Sequence, residues 1–313
     1  MTRAFVILAV LLLVALALGM LFGATRVSLD DDTARTILLQ IRLPRVLLAA
    51  VIGATLAVAG VTFQTLLRNP LADPFILGVS GGAAAGAAVA TALRWSRIPG
   101  LVELVAFAGA IGATAAVFLL ARRRDHTDPT RLLLSGLVLN AFFSAVILIA
   151  FALSRDADLT GALRWMMGTL FGAEWQSVIL VSSLLVVAMI VLIFIANDLR
   201  LLAFGEEDAK ARGVEVERVK LIGFAVASIA TGAAVAVSGI IGFVGLLVPH
   251  LIRLVWRRDF RFLLPLCAIG GATLLVLADV CSRVIVTSSE LPVGAFTAIL
   301  GVPFFLSLLR RAR

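Results

Sequence analysis

The chain has 313 residues, of which 61% are hydrophobic and only 15% are charged, and its mean hydropathy is +1.10. Soluble domains have roughly 45–50% apolar and about 25% charged residues, so this composition excludes a soluble enzyme and a disordered chain. The net charge of +8 does not indicate nucleic-acid binding, because the basic residues lie between apolar runs and not in one solvated stripe.

The apolar runs are continuous and close to the length that a helix needs to cross a membrane. They lack the alternation of polar and apolar residues that marks an outer-membrane β-barrel. A bilayer core about 30 Å thick needs about 20 helical residues. In chain order, the runs that reach this length are 4–24, 46–67, 74–93, 101–121, 132–153, 176–196, 221–256, 262–282 and 291–309. The sequence therefore predicts an all-α polytopic membrane protein.

The run from 221 to 256 is too long for one span, because at 1.5 Å per residue it would extend about 54 Å. Ser238, Gly239 and Gly242 lie near its middle and predict a break in the helix there. Two shorter spans, about 221–240 and 241–256, bring the predicted total to ten transmembrane helices.

The distribution of basic residues predicts how these spans are oriented. With the N-terminus inside and ten alternating spans, 18 of the 27 basic residues lie on the cytoplasmic side. This excess follows the positive-inside rule and predicts that both termini and the Arg122–Arg131 loop face the cytoplasm. Nine spans would instead place the basic clusters at 257–261 and 310–313 outside. The first run is longer than the core of a signal peptide, which is the alternative interpretation of that segment.

Two segments of small residues resemble each other at an offset of 179 residues. Residues 53–60 (GATLAVAG) are followed by Pro70, and residues 232–239 (GAAVAVSG) are followed by Pro249. The predicted topology runs the two copies in opposite directions, which indicates an inverted internal repeat of the kind found in transporters. Chance similarity between segments rich in small residues is the alternative.

The chain carries no recognisable catalytic motif. It has no Gly-x-x-x-x-Gly-Lys-Ser/Thr phosphate loop, and neither His126 nor His250 has a cysteine or carboxylate at metal-ligand spacing. We therefore predict a conduit and not an enzyme, with no metal or cofactor bound by this chain. Asp279 lies four residues before Arg283, so the two share a helix face and are interpreted as a structural ion pair. A proton-coupling carboxylate is the alternative for Asp279.

The longest and most charged connection predicted on the cytoplasmic side is 202–214. Gly205 and Gly213 bracket a predicted helix of about two turns with exposed acidic residues. Acidic residues precede basic ones along this helix, which is the order that a helix dipole favours. These charged residues are Glu206, Glu207, Asp208, Lys210 and Arg212. We interpret the segment as a docking helix for a cytoplasmic partner, with a solvated connector as the alternative.

Six motifs occur in order over nearly the whole chain. They are RLPR at 42–45, RNPLADP at 68–74, LGVSGG at 77–82, GFVGLLVPHLIR at 242–253, LAD at 277–279 and ELPVG at 290–294. Together these motifs resemble the FecCD-type permease family. Members of that family are the membrane subunits of bacterial ATP-binding cassette (ABC) importers for ferric siderophores, haem and vitamin B12.

The resemblance implies a vitamin B12-permease-like fold in a single transmembrane permease domain, residues 1–313, in the bacterial cytoplasmic (inner) membrane. It implies a dimer with a second permease subunit, either an identical copy or a paralogue. Two cytoplasmic ATP-binding subunits would hold ATP and Mg²⁺, and a periplasmic or lipid-anchored substrate-binding protein would dock outside. The absence of a phosphate loop in this chain agrees with that division of labour.

Residue by residue, the resemblance implies three sets of functional positions. Docking of the external binding protein is implied at the predicted outer-face arginines Arg42, Arg45 and Arg283. The cytoplasmic gate is implied at Asn69, Leu71, Pro129 and Thr130. The coupling helices, at about 199–214, are implied at Leu202, Gly205, Glu206, Glu207, Asp208, Ala209 and Gly213.

The sequence thus predicts the permease subunit of an ABC importer for an iron chelate. A ferric siderophore is placed ahead of haem or vitamin B12 only because it is the commonest substrate of the family. A stand-alone secondary transporter is a more distant alternative and would need an ion or proton site in the middle of the membrane. A signalling or scaffold protein is disfavoured because the sequence shows no soluble output domain.

Overall fold

The computed structural model describes residues 2–23, 35–123, 126–256, 259–285 and 291–311. The α-helices in chain order are α1 (Thr2–Leu21), α2 (Leu43–Leu66), α3 (Val79–Ala92), α4 (Leu101–Ala121), α5 (Pro129–Leu153), α6 (Asp156–Met166), α7 (Trp175–Phe194), α8 (Ala196–Phe204), α9 (Glu206–Ala211), α10 (Val216–Ser238), α11 (Val244–Val255), α12 (Phe260–Val284) and α13 (Val293–Arg311). Some segments of the sequence analysis extend beyond the described ranges. Among their residues that lie outside are Arg124, Arg257, Arg258, Glu290 and Arg313.

Short elements of other types connect some of these helices. A π-helix, Ile37–Arg42, leads into α2, and a 3₁₀ turn, Trp95–Arg97, lies between α3 and α4. The two-residue strands β1 (Arg122–Arg123) and β2 (His126–Thr127) pair antiparallel between α4 and α5. The β-hairpin therefore lies at the end of α4 where the sequence predicts a cytoplasmic loop.

The helices confirm the all-α polytopic architecture. Within the described residues, seven helices are long and apolar enough to cross a membrane: α1, the π-helix with α2, α4, α5, α7, α10 and α12. Three shorter apolar helices, Val79–Ala92, Val244–Val255 and Val293–Phe304, occupy the other predicted runs. The total of ten spans remains a prediction, because length and composition alone select these helices.

Helix α2 lies at the centre of the bundle, where it packs against α10, α11 and α12. A Cβ atom on Gly53 would overlap the carbonyl oxygen of Gly271 in α12, and one on Gly60 would overlap that of Gly245 in α11. Such close backbone approach supplies packing energy where lipid provides no hydrophobic drive between helices. The small residues around α2 therefore determine which helices can surround it.

Helices α5 and α7 lie at the periphery and turn large apolar side chains outward. Leu148 of α5 is 69% exposed and Phe194 of α7 is 84% exposed. Contiguous apolar surface of this kind is unfavourable in water and suits contact with lipid or with another subunit.

The predicted break in the run 221–256 is confirmed. Helix α10 ends at Ser238 and α11 begins at Val244, with Gly239 at φ +68° and Phe243 at φ +66°. A Cβ atom on Gly239 would overlap the carbonyl oxygen of Trp165, so glycine is needed here for both space and backbone conformation. Thr169 N donates to the carbonyl oxygen of Ser238 at 2.8 Å, which gives a hydrogen-bond donor to a carbonyl group at the end of α10.

The two segments of the proposed repeat differ locally at their last position. Gly60 lies inside α2, whereas Gly239 follows the last residue of α10. The inverted repeat remains a prediction.

Candidate functional site

The segment 202–214 contains the end of α8 and the whole of α9, and α9 is the short helix that the sequence predicted between Gly205 and Gly213. Helix α8 follows α7 directly, and α9 begins immediately after Gly205, which has φ +149°. Gly213 has φ +82°, so glycines in conformations that disfavour other residues stand on both sides of α9. Leu202 and Ala209 are completely buried. The segment is thus anchored in the protein by its apolar side and turns its other side to the surroundings.

The three acidic residues of α9 differ in their environments. The side chain of Glu207 is 91% exposed and Asp208 is also exposed, but Glu206 is buried. The prediction that all three are exposed is therefore wrong for Glu206. The reason is helical spacing, since Glu206 and the buried Ala209 are three residues apart and share one face. The acidic surface that α9 presents consists of Glu207 and Asp208.

Glu206 ends beside Lys220, a buried lysine in the first turns of α10. The Glu206 Oε2 atom lies 2.8 Å from Lys220 Nζ. The same ammonium donates to the carbonyl oxygen of Thr127 at 2.8 Å and to Glu217 Oε1 at 3.1 Å. Only 4% of Lys220 is exposed, and an ammonium group buried to this extent needs such partners. We call Thr127, Glu206, Glu217 and Lys220 the lysine cluster.

His126 stands at the edge of the lysine cluster. Its Nδ1 atom lies 3.5 Å from Glu217 Oε1 and 3.7 Å from Glu206 Oε2. The three side chains can bring one ligand atom each within 4.8 Å of one another, as a metal site requires. The sequence showed no carboxylate at metal-ligand spacing from His126, but the fold brings Glu206 and Glu217 close to its ring. The Lys220 ammonium already lies against both carboxylates, so we interpret the group as an ion-pair cluster.

The predicted gate residues lie next to this region. Pro129 lines a cleft of about 460 Å³ with Arg68, His126 and Glu206. Leu71 and Thr130 are exposed at the surface, and Asn69 and Pro129 are half-buried. The gate role of all four remains a prediction.

Local hydrogen bonds explain the conformation of the gate segments. Leu71 N donates to Asn69 Oδ1 at 2.9 Å, which stabilises the turn after α2. Thr130 N donates to Asp128 Oδ1 at 2.8 Å, so Asp128 caps the start of α5, and Pro129 follows in the first helical position.

The arginines that the sequence assigned to the outer face are buried within the chain. Arg45 Nη2 lies 2.9 Å from Asp279 Oδ1, and Arg283 Nη2 lies 3.0 Å from Asp279 Oδ2. Arg42 Nη1 donates to the carbonyl oxygen of Met20 at 2.9 Å. The predicted Asp279–Arg283 ion pair is confirmed.

The expectation that these three arginines stand free for an external partner is not met here. Their exposed fractions are only 3–8%, and they tie the end of α1 to α2 and α12. Because a buried guanidinium must be paired, Asp279 fills for Arg45 and Arg283 the position that a partner's carboxylate would otherwise take. Their role in docking remains a prediction.

The lysine cluster is the functional candidate that sequence reasoning missed. Its one local signal is the spacing of Glu217 and Lys220, three residues apart in the first turns of an apolar helix. Thr127 and Glu206 come from distant parts of the chain, and nothing in the sequence places them beside Lys220.

Comparison with known proteins identifies the class to which this fold belongs. The profile of the FecCD transport family matches residues 4–311. The chain belongs to the FecCD transport family, whose members are permeases of ABC importers.

Two relatives and one solved structure indicate the range of this family. The chain is 43% identical to the hemin transport system permease protein of Yersinia pestis, covering 97% of this chain and 94% of the relative. It is 45% identical to the cobalamin import system permease protein of Halobacterium salinarum, covering 89% and 74%. A metal-chelate type ABC transporter in an inward-facing conformation has a TM-score of 0.91 at 29% identity, covering 99% of this chain and all of that one.

Proposed function

We propose that this chain is the membrane-spanning subunit of an ATP-driven importer that moves a large metal chelate across the bacterial cytoplasmic membrane. The observation that carries the proposal is the match to an ABC transporter of metal chelates over 99% of the chain, at a TM-score of 0.91. In this proposal the permease works as a dimer with an identical or paralogous subunit, with both termini cytoplasmic. Two ATP-binding subunits hold ATP and Mg²⁺, and an external binding protein delivers the chelate.

The exposed face of α9 supports docking of the ATP-binding subunits. Glu207 and Asp208 stand at the surface in the first turn of α9, whereas Ala209 is buried. A rigid helix anchored by buried residues can pass a push from the ATP-binding subunit to the membrane helices. Rigid-body motion of the spans would then open the pathway alternately to the two sides.

The chelate is one of three candidates. The sequence expectation is a ferric siderophore, and the relatives named for hemin and cobalamin support haem and vitamin B12 as alternatives. All three are large metal chelates and require a wide pathway, so the fold suits each of them.

A stand-alone secondary transporter is less well supported. Asp279 is the obvious candidate for a coupling carboxylate within an apolar helix, and it is held by Arg45 and Arg283 at 2.9–3.0 Å. The two ion pairs join Asp279 to arginines of two helices, so the geometry supports a structural role for this carboxylate.

Docking can be tested by reversing the exposed charges of α9 alone. Glu207→Lys with Asp208→Lys should reduce co-purification of the ATP-binding subunit encoded with this chain, because it replaces two carboxylates at the interface. Glu206 must be left unchanged, since it belongs to the lysine cluster. The control is Glu174→Lys, an exposed acidic residue before α7 that the topology places outside. Co-purification of the double variant at the wild-type ratio would show that α9 is not the docking site.

The substrate can be tested with the complete complex in liposomes. Haemin, cyanocobalamin and ferrichrome are offered separately with the cognate binding protein, and import is measured with and without ATP inside. We expect ATP-dependent import of one of the three. Import driven by an ion gradient through this chain alone would instead support the secondary transporter.

A further inference from the structure

We propose that Lys220 is the positioning residue that transmits movement of α9 to the membrane helix α10. The inference rests on the proposed function, since it assumes that an ATP-binding subunit pushes on α9. It assigns to a buried lysine a role that neither the sequence motifs nor the family resemblance includes.

The geometry gives Lys220 contacts with two other segments and with its own helix. Its ammonium lies 2.8 Å from Glu206 at the start of α9 and 2.8 Å from the carbonyl oxygen of Thr127 in β2. Glu217, one turn earlier in α10, lies 3.1 Å from the same atom. Glu217 Oε2 also accepts from Thr127 Oγ1 at 2.6 Å and from Thr127 N at 3.0 Å. One buried charge therefore joins the hairpin, α9 and α10.

The surroundings of α9 make this connection mechanically important. Gly205 precedes α9 and Gly213 follows it, and both have φ values that disfavour other residues. Glycines allow the backbone to rotate at both ends of α9, so backbone stiffness alone does not determine its orientation. Glu206 is the first residue of the helix, and its ion pair with Lys220 fixes that end against α10. A push on α9 would thus reach α10 through a short, buried contact.

The ammonium group of Lys220 occupies the position that a metal ion would need in the lysine cluster. His126, Glu206 and Glu217 could each offer one atom to a metal ion. Lys220 Nζ already lies within 3.1 Å of both carboxylates, so a metal ion would have to displace a buried ammonium. The arrangement is better explained as a contact that holds protein segments together than as a metal site.

The first measurement is hydrogen–deuterium exchange on the purified full chain. Lys220→Met and Glu206→Gln should each speed exchange about tenfold at the amides of residues 206–213. The reason is that local opening of α9 in these variants no longer has to break the Glu206–Lys220 ion pair. The combined variant should be no faster than either single one. The control is Arg218→Met, which removes an exposed pair with Glu215 at 3.5 Å on the same turns of α10. Wild-type exchange in both single variants would overturn the proposal.

The second measurement is the number of chelate molecules imported per ATP hydrolysed by the complete complex in liposomes. Lys220→Met should lower this ratio at least about fivefold while the ATP-binding subunit still co-purifies, whereas Arg218→Met should keep the wild-type ratio. A purely structural role would lower the yield of complex and leave the ratio unchanged, and that outcome would overturn the proposal. If the complex with Lys220→Met does not assemble, the same ratio is measured for Glu206→Gln. That variant removes the charge of the partner carboxylate and keeps the side-chain shape.

The outcomes separate this inference from the proposed function. A wild-type complex that neither binds an ATP-binding subunit nor imports a chelate contradicts the proposed function, and the exchange measurement then still shows whether Lys220 fixes α9. A wild-type complex that imports, together with a Lys220→Met variant of normal ratio, contradicts the inference alone.

Discussion

Asp73 is a buried carboxylate in the connection between α2 and α3. Only 6% of the residue is exposed, and Phe75 N donates to its Oδ1 atom at 2.8 Å. Burial raises the pKa of Asp73 from its ordinary 3.8 to about 6, and the hydrogen bond from Phe75 opposes this rise. The folded state therefore holds a proton on this group over a pH range in which the unfolded chain has released it.

Asp73→Asn should make the stability of the protein less dependent on pH. The folded protein binds more protons than the unfolded chain between about pH 4 and 6, so the free energy of unfolding falls as pH rises through this window. A shift from 3.8 to about 6 corresponds to a loss of about 3 kcal/mol. Asparagine keeps the acceptor for Phe75 N without the titration.

Thermal unfolding in detergent at pH 4.5 and pH 7.5 measures this effect. The wild-type protein should lose more stability between the two pH values than Asp73→Asn does. Asp208→Asn is the control, because Asp208 is exposed and should leave the wild-type difference unchanged. Equal pH dependence of the wild type and the Asp73 variant would contradict the prediction.

Among the paired charges, sequence reasoning identified one pair of neighbours on a single helix. Asp279 and Arg283 are four residues apart, and their ion pair follows from helical spacing. Arg45 is 234 residues from Asp279, so its hydrogen bond to the same carboxylate depends on how α2 packs against α12. For this reason the sequence placed Arg45 at the surface and the structure places it inside.

At the scale of helices, glycine determines how closely two backbones approach. The Gly60–Gly245 contact joins α2 to α11, and the Gly53–Gly271 contact joins α2 to α12. In these places a methyl group would meet backbone atoms, which cannot move aside as a flexible side chain can. The glycines can be counted in the sequence, but only the packing of α2 against α11 and α12 shows which of them face each other.

Gly60→Ala should destabilise the protein by about 1–3 kcal/mol, because the added methyl group forces α2 and α11 apart. Gly112→Ala in α4 is the matched control, since a Cβ atom there meets nothing within 4 Å. Alanine is the better helix former, so this control should be neutral or more stable by up to about 1 kcal/mol. The midpoint of thermal unfolding in detergent distinguishes the two variants, and equal midpoints would contradict the packing argument.

At the scale of the whole molecule, the distribution of charge predicts the orientation in the membrane. The predicted topology places the gate segments, α8, α9 and the β-hairpin in the cytoplasm, together with most of the basic residues. Arg68, His126, Pro129 and Gly205 line one cleft, so these segments do lie at one end of the protein. We predict that this end of the protein faces the cytoplasm.

Cysteine labelling in intact cells tests that side. In a background with Cys281 replaced by serine, Arg97→Cys should react with a membrane-impermeant maleimide, and Arg131→Cys should react only after the cells are lysed. Both positions are exposed, and the other native cysteine, Cys267, is buried, so accessibility reports the side of the membrane. Labelling of position 131 in intact cells would reverse the predicted orientation.

The sequence by itself determined the helical membrane architecture, the presence of a break near residues 238–242 and the resemblance to the family. Each follows from a property that lies along the chain: continuous apolar runs, glycines at a break, and motifs in a fixed order. The tertiary structure alone decided that Glu206 is buried, that Arg42, Arg45 and Arg283 turn inward, and that Lys220 joins three segments. The physical reason is that a buried charge is stable only beside its partner. These charges find partners among residues that are distant in the chain, and helix packing brings them together.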